Sequence, residues 1–214
     1  MTPLSSRVLR AVMLVLLPLT LAACGVNAIP TKQEIAKAKF ADVQTQYQRR
    51  ADLIPNLVST VQAFAQQERT VLVQVTQARA SATQVKVDAS TLTDPAAFQK
   101  YQAAQGQLSG VLGRLMAISE KYPDLKSNEN FLALQSQLEG TENRISIARN
   151  DYNEAVRDYN TTLRTFPSIL WAKSFYSSAK PMQMFVASDS AQAAPTVSFN
   201  LGGATPPASA APAQ

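Results

Sequence analysis

Residues 131–166 read FLALQSQLEGTENRISIARNDYNEAVRDYNTTLRTF, and this stretch decides the fold. Phe131, Leu138, Ile145, Tyr152, Tyr159 and Phe166 recur every seven residues, and Leu134, Thr141, Ala148, Ala155 and Thr162 hold the partner position. Such a repeat lays one apolar stripe along one face of an α-helix. Large and small layers alternate along it, which suits close packing against antiparallel neighbours. Upstream, Pro123-Asp124 breaks the chain and Ser127 or Asn128 offers an N-cap. Pro167 ends the helix. About 40 residues at 1.5 Å each predict a rod of about 60 Å.

Towards the N-terminus a second heptad phase appears. One position holds Phe40, Tyr47, Ile54, Val61, Glu68, Val75 and Ala82; its partner holds Ala36, Val43, Arg50, Leu57, Phe64, Val71, Ala78 and Val85. The phase does not break at Pro55, so the reading is one helix from about Gln33 to Val87, kinked near Pro55. There the missing N–H leaves the Ala51 carbonyl unbonded. Asp88–Asp94 is a turn, and Asp94 with Pro95 forms an N-cap and N1 pair. The helix they open runs to about Tyr122 on a stripe of Phe98, Tyr101, Leu108, Leu112, Leu115 and Tyr122. Gly106, Gly110 and Gly113 are read as points that admit close packing.

Beyond Pro167 lies a strongly apolar segment: Ile169, Leu170, Trp171, Phe175, Tyr176, Met182, Met184 and Phe185. It predicts a short helix over Ser168–Ser178 folded onto the bundle end, with a membrane-facing or partner-facing patch as the alternative. From Ala187 the chain is Ala, Ser, Pro, Thr and Gln with a single charge, Asp189, a composition expected to stay disordered. The expected fold is all-α: an elongated antiparallel bundle of three long helices, the first kinked at Pro55, plus a short C-terminal helix.

The first residues carry an address. Arg7 and Arg10 precede Ala11–Leu21, an almost wholly apolar run that is too short to span a bilayer. It ends Leu21-Ala22-Ala23-Cys24, which resembles the bacterial lipobox, and Cys24 is the only cysteine in the chain. The expected organisation is a signal peptide over 1–23, a lipidated linker over 24–31, the bundle over 32–186 and a tail over 187–214. Acylated Cys24 would be the attachment to the lipid bilayer, each buried CH₂ contributing about 0.8 kcal/mol. Gly25 stands where an Asp often marks inner-membrane retention, which favours the outer membrane.

Composition narrows the chemistry. The chain has 214 residues, 46% apolar and 16% charged, with a formal charge of +5. Loss of Arg7 and Arg10 with the signal lowers that +5 by two to +3. The densest basic cluster, Lys32, Lys37 and Lys39, is interrupted by Glu34 and Asp42, so nucleic acid is not an expected partner. With no histidine and one cysteine, histidine catalysis, histidine-containing metal sites and internal disulfides are excluded. No glycine-rich phosphate loop or nucleophile–base pair is present, so no cofactor, metal or catalytic set is expected.

A few polar residues stand out. Arg50 and Glu68 fall in the apolar phase of the first helix, where a charge must be paired or near an end. A register device within the bundle is the main reading; a ligand-facing pair is the other. Arg49, Arg50, Asp52 and Asn56 crowd Pro55, where an Arg or Asn side chain would answer the freed carbonyl. Glu142, Asn143, Arg144 and Arg149 flank the seam of the third helix, a place for interhelical pairs.

Three segments together resemble the LemA family. They are Tyr47-Gln48-Arg49-Arg50-Ala51-Asp52-Leu53-Ile54-Pro55-Asn56-Leu57-Val58, Tyr122-Pro123-Asp124-Leu125-Lys126-Ser127-Asn128-Glu129-Asn130-Phe131, and Leu138-Glu139-Gly140-Thr141-Glu142-Asn143-Arg144-Ile145. The third continues through Ala148-Arg149, Tyr152-Asn153, Ala155-Val156, Tyr159-Asn160 and Phe166-Pro167. The similarity covers roughly Lys32–Phe185. It implies an all-helical antiparallel bundle on a membrane-anchored chain, with no agreed biochemical activity. Some members accompany membrane proteases or membrane-organelle formation, which implies a scaffold or adaptor with a protein partner in the cell envelope. Many members carry an N-terminal transmembrane helix, whereas this chain ends its apolar run at a lipobox. Two rival expectations stand beside the scaffold. One is an envelope small-ligand binder or enzyme using Arg50, Asp52 and Glu68; the other is membrane remodelling by lateral self-association of the rods.

Overall fold

The computed structural model describes residues 25–85 and 87–186. The signal peptide, Cys24 and the C-terminal tail lie outside the described residues. Among the described residues six helices follow one another: α1 (Ala28–Phe64), α2 (Arg69–Gln84), α3 (Pro95–Ser119), α4 (Pro123–Lys126), α5 (Glu129–Thr162) and α6 (Ser168–Ser174), with a 3₁₀ turn at Gln66–Glu68. Among the described residues there is no strand. The expected caps are in place. The Asp94 carboxylate accepts from the N–H groups of Ala96 (2.9 Å) and Ala97 (3.4 Å) ahead of α3, and the Asn128 side chain accepts from Phe131 N–H at 3.1 Å ahead of α5.

The two longest helices, α1 and α5, pack antiparallel. Lys32 pairs with Asp158 (3.1 Å), Lys39 with Asp151 (3.2 Å) and Arg50 with Glu142 (3.0 Å), so advance along one helix is retreat along the other. At 37 residues, α1 is about 55 Å long.

The single helix expected over Gln33–Val87 is instead two. The chain reverses at Ala65 (φ −127°, ψ 55°), and α2 returns along α1 until Arg79 Nε donates to the Ala51 carbonyl at 2.8 Å. Neither Gly nor Pro marks this turn. The heptad phase holds on both sides of the turn, with Val61 buried before it and Val75, Ala78 and Ala82 buried after it, but it lapses at the turn itself, where Phe64 is exposed and Ala65 and Leu72 are buried instead. Pro55 does not interrupt α1, which runs through it. The linker expectation is also revised, since α1 begins at Ala28 and Ile29 is fully buried. Pro30 fits the first helical turn because N–H groups there have no partner within the helix. Gly106, Gly110 and Gly113 face open space rather than a neighbouring helix.

The core has two halves. Near the start of α1 it is aromatic: Phe40, Phe98, Tyr101, Tyr152 and Phe185 cluster, with ring centroids as close as 4.9 Å (Phe98–Phe185). Towards the Ala65 turn it is mainly aliphatic, with Ile54, Leu57, Leu108, Leu115, Leu125 and Leu138 around Phe131. Helix α2 stops at Gln84, and beyond it the aromatic half is closed by the chain's own C-terminal segment, through buried Met182 and Phe185.

Candidate functional site

Between the two halves lies a polar belt built around Arg50, which is 2% exposed and the one buried charge among the described residues. Its Nη1 donates to Ser109 Oγ (2.7 Å) and Glu142 Oε2 (3.0 Å), and its Nη2 to the side-chain (2.8 Å) and main-chain (3.3 Å) oxygens of Gln105. The Tyr47 ring lies 5.0 Å from the guanidinium carbon. Gln105 in turn donates to the Ala82 carbonyl at 3.2 Å. One guanidinium therefore ties α1, α2, α3 and α5 at a single level. The two terminal nitrogens are met by acceptors on α3 and α5, while the buried Nε has no partner among the described residues; sliding either helix by a turn would strand the terminal donors as well, which favours one axial register.

The pair is asymmetric: the Glu142 side chain is 56% exposed, so water reaches the acidic end while the basic end stays dry. Burial raises the pKa of the nearby Tyr47 and Tyr101 phenols, so both remain protonated at neutral pH. Beside them is a cavity of about 130 Å³ that includes Gln44, Thr83 and Gln105 in its wall.

The Ala51 carbonyl freed by Pro55 is answered by Arg79, not by Arg49, Arg50 or Asn56 as the sequence suggested. The donor comes from α2, which reaches Ala51 only because the chain folds back. Asp52 is exposed and accepts from Gln48 Nε2 at 2.7 Å; Asn56 is exposed as well. Asp52, Arg49 and Arg144 line a shallow groove of about 460 Å³ between α1 and α5. Glu68 sits in the tip turn and accepts from Tyr122 Oη at 3.2 Å. Asn143 and Arg144 are exposed on α5. Arg50, Asp52 and Glu68 thus form no constellation: one is buried mid-bundle, one is on the surface and one is at the tip.

The sequence reading passed over the residues that hold the C-terminal segment. Lys180–Val186 is extended chain, and α5 satisfies its backbone with side chains. Asn160 accepts from Met182 N–H and donates to Met182 C=O, both at 2.9 Å. Asn153 does the same for Phe185, at 2.8 and 2.9 Å. Tyr159 Oη donates to Lys180 C=O (3.2 Å) and Tyr152 Oη to Gln183 C=O (2.8 Å). The spacing has a simple cause. Seven helical residues rise about 10.5 Å and three extended residues span about 10 Å, so a Tyr-Asn pair repeated after seven meets the strap every three residues. The signal was present as Tyr152-Asn153 and Tyr159-Asn160. Arg149 completes the strap, donating to Val186 C=O at 3.3 Å and covering the Phe185 ring at 4.7 Å.

At the other end of the strap, α6 sits beside the start of the described chain. Gly25 is buried where a side-chain carbon would lie 3.5 Å from both Pro167 Cγ and Trp171 Nε1.

The LemA family pattern matches residues 39–199, which include the arginine belt and both Tyr-Asn pairs. The chain belongs to the LemA family. Among curated LemA relatives it is 27% identical over 157 residues to the magnetosome protein MamQ of Magnetospirillum gryphiswaldense, covering 66% of this chain and 58% of that protein. It is 26% identical to magnetosome proteins MamQ 1 and MamQ 2 of Paramagnetospirillum magneticum, with the same coverage. This LemA chain therefore spans less than two thirds of the length of the relatives it matches.

Proposed function

We propose that this LemA-family chain is a lipoprotein of the bacterial cell envelope. Acylated Cys24 ties it to the lipid bilayer, and it acts as a non-enzymatic scaffold or adaptor for a protein partner. The observation that carries the reading is the placement of Gly25. The residue after the single cysteine of Leu21-Ala22-Ala23-Cys24 is packed on the bundle end, so a lipid on Cys24 transmits its hold to a rigid body with no flexible spacer. The belt supports the scaffold half of the reading. Arg50 has its terminal nitrogens committed to holding four helices in register, which suits a body that presents a fixed surface. The site is the extracytoplasmic face of a membrane, with the outer membrane favoured because Gly25 stands where a retention-type Asp would be.

Fractionation and mass spectrometry of Cys24→Ser test this. The variant is expected to stay unprocessed or to leave the membrane fraction. Normal processing and membrane attachment without the cysteine would overturn the lipid anchor.

A further inference from the structure

We propose that the α6 end of the bundle is a second membrane contact, seating Phe166, Leu170 and Phe175 in the headgroup–acyl boundary of an anionic bilayer. This rests on the reading that the chain is held to a membrane through its N-terminus, and it specifies which surface of the protein faces the lipid.

Three observations converge on that end. First, Phe166 (80%), Leu170 (56%) and Phe175 (73%) are exposed within ten residues of one another. Helix α6 and the turn after it do pack on the bundle, but through Trp171, Ala172 and Tyr176, which lie half-buried against the aromatic core. The packing reading of this segment therefore holds for part of it, while Phe166, Leu170 and Phe175 stay exposed. Large apolar side chains left in water at one end of a protein mark a surface made for an apolar partner.

Second, the chain itself says what that partner is. Cys24, the lipid attachment of the proposed mature chain, directly precedes Gly25, and Gly25 abuts Pro167 and Trp171. Helix α1 begins only three residues later, at Ala28, and Ile29 is fully buried. An anchor delivered at Gly25 therefore holds α6 within a few ångströms of the bilayer.

Third, the charge is right. No Asp or Glu occurs between Asp158 and Asp189, whereas Arg164, Lys173 and Lys180 fall in that interval. All three are exposed, and none belongs to an ion pair among the described residues. Basic residues around exposed aromatics are the composition of an interfacial segment, the cations meeting lipid phosphate while the rings enter the acyl boundary. The opposite tip also exposes Phe64 (40%) and Leu132 (48%), but its charge is mixed, with Glu68, Arg69, Glu120 and Lys126.

The consequence is an orientation. With α6 on the lipid, α1 leaves the surface from its first turn and carries the Ala65 tip away by up to its own length of about 55 Å.

Tryptophan fluorescence tests the proposal, since Trp171 is the only tryptophan in the chain. The full chain, purified from its membranes, is reconstituted into phosphatidylethanolamine–phosphatidylglycerol vesicles with brominated acyl chains. Two reporters are read in a Trp171→Phe background: Phe175→Trp at the docking end and Leu132→Trp near the far tip. The Phe175→Trp emission is expected to be largely quenched by the brominated lipid and shielded from aqueous acrylamide, and Leu132→Trp to behave the opposite way. Trp171 in the unsubstituted chain reports on the same end without any change to the fold and, being half-buried against the bundle, is expected to be quenched by lipid less than Phe175→Trp. A chain that floats with the vesicles while Phe175→Trp escapes lipid quenching overturns docking alone. Shielding from acrylamide without lipid quenching would show the patch covered by protein and also overturns it. A chain that fails to float overturns docking and anchoring together. Equal quenching in pure phosphatidylcholine vesicles would overturn the role of Arg164, Lys173 and Lys180.

Discussion

Replacing Arg50 with Ala should destabilise the bundle by about 3 kcal/mol, towards the low end of what removal of one member of a buried charge pair costs. The magnitude follows from what each partner does afterwards. Glu142 is more than half exposed and rehydrates at little cost. Ser109 keeps its 3.3 Å bond to the Gln105 carbonyl, so that carbonyl is not stranded. The Gln105 side-chain oxygen is stranded, at about 1–3 kcal/mol. Two buried methylenes go as well, at about 0.8 kcal/mol each, and so does the contact with Tyr47, at about 0.5–1 kcal/mol or more. Relief of the desolvated guanidinium offsets part of the total. Arg50→Met leaves Gln105 in place for the Ala82 carbonyl and keeps the buried methylenes, so it should be the more stable of the two variants by about 0.8 kcal/mol per methylene regained. Urea unfolding followed by far-ultraviolet circular dichroism reads both values from the midpoints, provided the slope is unchanged. An Arg50→Ala midpoint equal to that of the unsubstituted chain would refute the belt, and an Arg50→Met midpoint below that of Arg50→Ala would refute the accounting of the buried methylenes.

Other substitutions probe the remaining joints. Arg79→Met should cost about 1–2 kcal/mol by orphaning the Ala51 carbonyl, and much less in a Pro55→Ala background, where a backbone N–H takes over; a thermodynamic cycle of urea midpoints without such coupling would contradict the assignment. Asn153→Ala and Asn160→Ala should each speed amide exchange at Phe185 and Met182 and expose Lys180–Val186 to proteolysis, at about 1–2 kcal/mol per variant; unchanged protection at those two amides would argue against the strap. Asp88 is held at about 2, below the usual carboxylate value, by the Ser90 hydroxyl and then by the Thr91 N–H and hydroxyl. A carboxylate depressed in the folded state stabilises it above its unfolded pKa of 3.8 and loses that contribution as pH falls towards 2. Unfolding of Asp88→Asn should therefore depend less on pH between those limits, and an identical acid profile would refute the turn's role.

Much of the local structure was legible because its causes are local. Asp94-Pro95 and Asn128 cap helices with atoms two or three residues away, and the repeat from Phe131 recorded which face of α5 is buried. Less of the site was readable. Arg50 stood out by type and phase, but its partners lie 55, 59 and 92 residues away. Asn153 and Asn160 look like ordinary surface amides until an extended segment is laid across them. Asp52 and Glu68 were singled out by neighbourhood and by phase, and neither property places a side chain in a pocket.

The sequence alone determined that this chain is helical, where α3, α5 and α6 begin, and most of the inward-facing residues, though not Phe64 or Phe166, which are exposed; those choices rest on hydrogen bonds and periodicities within a few turns. Only the tertiary structure decided that the first heptad array folds back at Ala65, that Arg79 answers the Ala51 carbonyl, and that Lys180–Val186 completes the core. A heptad phase states that a face is buried but not against what. A hairpin and a straight rod carry the same stripe, and the choice between them falls to contacts between residues far apart in the chain.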